Sequence, residues 1–332
     1  MKLSTEQIRA VTKGAVRVCE EEGMTVFHRF TEAQEQLYSA VDSDFYMKCF
    51  ATAGVRLEFF TSSKNLKMTL FAVSGSSRKY FNCDVYVDGE PTYSFGADRD
   101  AYRGGLVTVS GECQLTGEKE EKKVVIYLPW SVTARIVSLE LDDDATLTPV
   151  EHARKMIIFG DSITQGYDAA NPSESYASLI TDALDAESIN KGIGGEKFRA
   201  ELASLKDDFQ PDIITVAYGT NDWSCFEKEE FDKRCEDFYN TLSAVYPAAK
   251  IFALTPIWRG NCQKITRVGS FEYVADKIKA VCQPLSNVTV IDCTDFVPHD
   301  ARLFSYDVLH PNFLGFKYYG EKVAESIERL LK

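Results

Sequence analysis

Residues 157–166 read Ile-Ile-Phe-Gly-Asp-Ser-Ile-Thr-Gln-Gly. The apolar run 156–159 predicts a buried strand that stops at Gly160, with Ser162 where a helix begins. A serine so placed has its hydroxyl at the open edge of a sheet. Backbone N–H groups and the positive end of a helix lie beside it, which suits a developing oxyanion. A plainer reading has Asp161 or Ser162 only capping that helix.

Outward from this stretch the chain divides into two periodicities. From residue 155 on, apolar strands alternate with amphipathic segments. Strands are expected at 156–159, 187–190, 213–218, 251–254 and 288–291. Helical stretches are marked by Tyr176, Leu179, Ile180 and Leu184, then by Phe271, Val274, Ile278 and Val281, and a last helix covers 313–331. This alternation predicts a parallel sheet wound on both faces, with ligands at the carboxyl ends of its strands. Before residue 150 the period is two: Val55, Leu57, Phe59; Leu66, Met68, Leu70; Cys83, Val85, Val87 running into Asp88-Gly89, a hairpin turn; Val124, Ile126, Leu128; Val137, Leu139, Leu141. One wet face per strand predicts an antiparallel β-sandwich for residues 1–150, ahead of an α/β domain at 151–332. Residues 4–22 read as a short helix with a Ser4/Gln7 capping box, Ile8, Val11, Ala15 and Val18 on one side and Gly23 at its end. Asp142-Asp143-Asp144 and the polar stretch to Arg154 read as a linker.

The 332 residues suit two domains, and 45% hydrophobic with 26% charged residues is ordinary globular composition. A net charge of −13 disfavours nucleic acid and anionic membranes as partners. The lysines between 119 and 123 are interleaved with Glu118, Glu120 and Glu121 and read as a solvated turn. No secretory leader and no apolar run of membrane-spanning length stand out. The nine cysteines are scattered and odd in number, so reduced thiols and a cytoplasmic location are expected.

Three further blocks carry polar residues at the ends of expected strands. Asn190-Lys191-Gly192-Ile193-Gly194-Gly195 follows the second strand, and glycine there permits positive φ or lets a backbone N–H approach a substrate. Tyr218-Gly219-Thr220-Asn221-Asp222 follows the third; Asn221 has an amide to offer an oxyanion, although these are turn residues too. Asp307-Val308-Leu309-His310-Pro311-Asn312 precedes the last helix, with Pro311 suited to its first turn. Asp307 is spaced to accept the Nδ1–H of His310 and turn Nε2 toward a nucleophile. His28, His152 and His299 lack such a pattern and read as surface or structural.

These blocks, in this order over residues 157–312, resemble the SGNH hydrolases, the GDSL esterase/lipase superfamily. The Gly-x-Ser-x-Gly elbow of α/β-hydrolases is absent. The resemblance implies a flavodoxin-like three-layer α/β/α fold, with Ser162 as nucleophile, His310 as general base and Asp307 orienting it. It implies an oxyanion hole of the Ser162 and Gly195 N–H groups and the Asn221 side chain, with Gly194 as alternative to Gly195. No metal and no organic cofactor is required.

A β-rich half ahead of such a domain also resembles two-domain carbohydrate acetyl esterases. This implies removal of acetyl or other small acyl groups from xylo- or manno-oligosaccharides. Asp161, Trp223, Trp258 and Arg259 are the candidate substrate contacts, and either tryptophan is equally suited to core. Alternatives are a lipid or thioester hydrolase of the same superfamily and a non-catalytic carbohydrate-binding protein. A sandwich that serves homo-oligomer assembly also stays open.

Overall fold

The computed structural model describes residues 1–117 and 119–332, so Glu118 of the charged turn lies outside it. The alternating segments pair into two antiparallel sheets. One has the order Thr12–Lys13, Arg56–Thr61, Lys122–Tyr127, Phe81–Val87, Glu90–Ala97, with Thr148–Pro149 added beside Arg56–Thr61. The other has the order Arg17–Glu21, Met24–His28, Val132–Leu141, Asn65–Ser74, Val107–Gln114. The inward residues Leu57, Phe59, Val85 and Ile126 of the first meet Leu66, Met68, Leu70 and Leu139 of the second in one core. Asp88 and Gly89 both take positive φ, 50° and 91°, as a two-residue hairpin turn requires.

The segment expected as one helix over 4–22 is corrected. The capping box forms, with Ser4 and Gln7 bonded reciprocally, but the helix is Thr5–Val11 only. Gly14 at φ 84° turns the chain. Arg17–Glu21 and Met24–His28 then pair as a hairpin, so Val18 enters the core from a strand. The apolar spacing fitted both periods over so short a run, and the sheet offered the larger burial. Helices Glu32–Val41 and Ser43–Cys49 interrupt the β-rich half as well. Their Tyr38 and Cys49, with Phe30, join the core of the other half.

The second half is a five-stranded parallel sheet in the order Ala186–Asn190, Arg154–Gly160, Ile213–Ala217, Lys250–Leu254, Val288–Ile291. The three central strands are mostly apolar on both faces, and their alternate residues feed two cores. Ile157, Phe159, Ile214 and Val216 pack toward helices Lys228–Val245 and Phe271–Cys282. Met156, Ile158, Ile213 and Phe252 pack toward Tyr176–Ala183 and Phe313–Leu331. The result is the flavodoxin-like α/β/α arrangement. The chain reverses direction across the sheet between Arg154–Gly160 and Ile213–Ala217, and Ser162 follows directly from the first of these strands.

The halves share a tight seam that runs along the sheet from beside that serine to the start of its strand. Trp130 Nε1 donates to Ala169 O at 3.0 Å, Gln165 Nε2 to Gly75 O at 3.1 Å, and Tyr127 Oη to Asp182 Oδ2 at 2.8 Å. All nine cysteines are free thiols, and among the described residues no helix is long and apolar enough to cross a membrane.

Candidate active site

Asp161 is the N-cap of a single helical turn, Ser162–Gln165; its Oδ1 accepts from Ile163 N at 3.0 Å. Ser162 is therefore the first helical residue, and capping and presentation of the hydroxyl coexist. One turn carries little macrodipole, so the local N–H groups matter more than the helix as a whole. Gly160 is required here: a Cβ would stand 1.9 Å from Thr164 Oγ1. Asp161 is buried, and burial pushes its carboxyl up to about 6.

His310 Nε2 lies 2.8 Å from Ser162 Oγ, and His310 Nδ1 lies 2.6 Å from Asp307 Oδ2. The loop that presents the histidine is fixed by the same aspartate, whose Oδ1 accepts from Leu309 N at 3.0 Å and His310 N at 3.1 Å. Between them Val308 takes φ 49°, a left-handed conformation unfavourable for a β-branched residue. Burial alone would raise the Asp307 carboxyl, yet its bonds to His310 and Leu309 hold it well below the usual range. Pro311 is not in the first turn of the last helix, which starts at Phe313 with Asn312 as its cap. Pro311 instead pairs with Phe304 in an isolated bridge.

The glycine block distinguishes its two candidate donors. Gly194 N donates to Gln165 Oε1 at 2.8 Å, whereas Gly195 N has no acceptor among the described residues. Gly195 sits at φ 90°, where a side chain would be strained. Lys48 Nζ donates to Gly194 O at 2.9 Å. That carbonyl and the Gly195 N–H belong to one planar peptide and point opposite ways, so holding one aims the other. Asn221 Nδ2 donates one N–H to Glu196 O at 3.0 Å, leaving its second for a substrate. The loop before it is set by Asp222, whose oxygens accept from Phe198 N at 3.0 Å and Gly219 N at 3.2 Å. Burial pushes this carboxyl up to about 7.

The expected substrate contacts separate. Trp223 is only 1% exposed, with Nε1 bonded to Gly269 O at 3.0 Å and Phe271 edge-on at 5.0 Å; it is core, not pocket lining. Of the two readings open to this ring, pocket or core, the helix Thr220–Cys225 favours core by turning it inward. Trp258 is half-buried and stacks on His299 at 5.3 Å, in a groove of about 870 Å³ with Phe296 and Lys322. Arg259 stacks over Trp223 at 5.2 Å and donates from Nη1 to Thr220 Oγ1 at 3.0 Å, while its buried Nε has no acceptor among the described residues. Burial draws its guanidinium down, against the nearby Asp161 and Asp307 charges. Asp161 lines a cavity of about 20 Å³ with Ile163, Ala217, Ile257 and Leu309.

Sequence reasoning missed Asp168, which lies 3.6 Å from His310 Nδ1, and Arg78, which holds it. Gln165 and Lys48, behind the glycine block, were missed too. Arg78, Asp168 and Lys48 lie outside the blocks that mark chemistry, Gln165 lies inside the first without a chemical role to single it out, and Arg78 and Asp168 are 90 residues apart. His28, His152 and His299 also have carboxylate partners: Glu35, and Glu58 with Asp185, are brought in by folding, while Asp295 lies four residues before His299.

Among the described residues two clusters have ligand-like spacing: Asp168, Asp307 and His310, and Cys19, Glu21 and His28. In the first, His310 Nδ1 is taken by Asp307 and Arg78 stands 3.7 Å from that carboxylate. In the second, Arg17 lies 2.9 Å from His28 and Arg135 3.7 Å from Glu21, cations that oppose a divalent ion. The geometry places a serine hydroxyl against an imidazole that a carboxylate holds from behind, a set suited to acyl transfer.

Residues 158–318 match the GDSL-like lipase/acylhydrolase family. Salicylyl-acyltransferase SsfX3 from a tetracycline biosynthetic pathway is similar in structure, with TM-score 0.80, 21% identity and 96% of this chain and 94% of that one covered. A protein of Bacteroides ovatus described as a GDSL-like lipase gives 0.80 and 21% over 100% and 98%. A family two carbohydrate esterase from Clostridium thermocellum, solved with cellohexaose, gives 0.64 and 17% over 85% and 94%. No curated protein sequence gives a significant match. Residues 158–318 thus match a GDSL-like lipase/acylhydrolase domain, of the SGNH type, built on a flavodoxin-like sheet.

Proposed function

We propose that this acylhydrolase removes acetyl or similarly small acyl groups from carbohydrate through a Ser162 acyl-enzyme. His310 takes the Ser162 proton as Oγ attacks the ester carbonyl, and Asp307 stabilises the imidazolium that forms. The N–H groups of Ser162 and Gly195 and the Asn221 amide hold the tetrahedral oxyanion. Protonated His310 then releases the sugar hydroxyl, and water activated by the same base frees the acid.

The observation that carries this reading is the continuous contact from Asp307 through His310 to Ser162 Oγ, at 2.6 and 2.8 Å. Small acyl size is supported by the likeness in fold to an acetyl xylan esterase, with TM-score 0.59 and 15% identity. A carbohydrate alcohol is supported by the likeness in fold to carbohydrate esterases and by the half-buried Trp258, a face on which a sugar ring can stack.

Acetate release from a panel of acetylated mono- and oligosaccharides tests the proposal, with matched p-nitrophenyl esters alongside. Acetate release that Ser162→Ala abolishes is the expected result. Long-chain esters turned over faster than acetyl esters would move the reading to lipids, and activity retained in Ser162→Ala would overturn it. An added acceptor alcohol tests transfer instead of hydrolysis, the reaction for which the salicylyl-acyltransferase is named.

A further inference from the structure

The ring nitrogen of His310 that faces away from Ser162 has two carboxylates beside it. Asp307 Oδ2 is at 2.6 Å and Asp168 Oδ2 at 3.6 Å. Ser305 Oγ sits between them, 2.8 Å from Asp168 Oδ2 and 3.1 Å from Asp307 Oδ1, so its one proton couples the two. Asp168 is gripped side-on by Arg78, with Nε at 2.6 Å and Nη2 at 2.7 Å, and Tyr80 Oη is 3.4 Å away. Such a bidentate fork fixes both the position and the charge of a carboxylate.

Arg78 and Tyr80 come from the loop between Asn65–Ser74 and Phe81–Val87, in the antiparallel half. The Arg78 guanidinium lies 5.0 Å over the Tyr167 ring, and Tyr167 stacks on His310 at 5.5 Å and 28°. Guanidinium, phenol and imidazole thus form a stack. Burial works against the Asp168 charge, yet the Arg78 fork and the Ser305 hydroxyl hold its carboxyl below the usual range. Other charges near the imidazole are Asp161, and Arg259 acting on Asp161 and Asp307.

We infer that Asp168 is a second carboxylate partner of His310, and that Arg78 sets how much of its charge the imidazole feels. The antiparallel half thereby supplies a positioning residue to the ester-cleaving site, an inference that rests on the proposed role of His310 as base. A negative charge at this distance favours imidazolium and a positive one opposes it. Removing each partner therefore moves the histidine in opposite directions, which a purely structural role for the pair does not do.

The test follows the titration of His310 by NMR, assigned by loss of its signal in His310→Gln, together with the acid limb of kcat/KM on p-nitrophenyl acetate. Asp168→Asn is expected to move both to lower pH, and Arg78→Gln to higher pH, each by about 0.5–1 unit. Arg78→Lys keeps the charge without the fork and falls between Arg78→Gln and the parent. If Arg78→Gln does not fold, Asp168→Asn and Arg78→Lys still decide. Shifts of the same sign, or none, overturn the inference. A chain that cleaves no ester would defeat the proposed function, while the NMR shifts would still support or overturn the pairing.

Discussion

Arg29 donates from Nη1 to the carbonyl oxygen of Gly192 at 3.2 Å, a bond between residues 163 apart in sequence. The guanidinium is fully buried and is spent on backbone oxygens: Nη2 donates to Lys48 O at 3.0 Å, while Nε and Nη1 reach Ala51 O and Asn190 O. Lys48 adds its bond to Gly194 O. The antiparallel half thus holds the glycine block by its carbonyls, while Gly195 N keeps no acceptor among the described residues.

Lys48→Met keeps the apolar stem and removes the grip on Gly194 O. Loosening one oxyanion donor is milder than deleting it, so kcat for acetyl esters should fall about 10-fold with KM little changed. Steady-state kinetics on a variant with parent-like circular dichroism measures this. A rise in KM at constant kcat would show that Lys48 acts on binding instead.

Asn221→Ala deletes a donor outright. Its kcat should fall by roughly 10²–10³ while the fold is retained. Turnover within a factor of two of the parent, in a folded variant, removes Asn221 from the oxyanion hole.

The two tryptophans should behave oppositely. Trp223→Ala opens a cavity in a closed core and should cost about 3–5 kcal/mol of stability, read by denaturant midpoint. Trp258→Ala should leave that midpoint nearly unchanged and raise KM for an acetylated oligosaccharide several-fold, on the order of one lost ring contact, with p-nitrophenyl acetate unaffected. Equal losses on both substrates would place Trp258 outside the sugar site.

Local patterns made much of this molecule readable. The parallel strands and the last helix follow from apolar runs that two-sided burial imposes, and residues 313–331 match the observed helix Phe313–Leu331. Asp307 and His310 were legible because their contact is made within three residues of chain. What stayed hidden depends on distance. Trp223 lies two residues from Asn221, yet helical geometry turns it inward. Nothing in the sequence around Arg78, Arg29 and Lys48 sets them apart from other cations, and only folding packs them against Asp168 and the glycine carbonyls. The choice between Gly194 and Gly195 required knowing where the Gln165 side chain points.

Asp161 gives the stability a sign that can be checked. Burial raises its folded-state value to about 6 from the ordinary 3.8, so the native state favours the protonated carboxyl. The stability it contributes is fully present below pH 3.8 and is lost as pH rises through about 6. Above that, the buried carboxylate is a standing cost of up to about 3 kcal/mol. Asp161→Asn keeps the oxygen that accepts from Ile163 N and removes the ionisation. Its stability relative to the parent should therefore increase between pH 4 and pH 7.5 by about 1–3 kcal/mol, measured by urea midpoints at both pH values. A difference between the two proteins that does not change with pH would mean that Asp161 is ionised in the native state throughout this range.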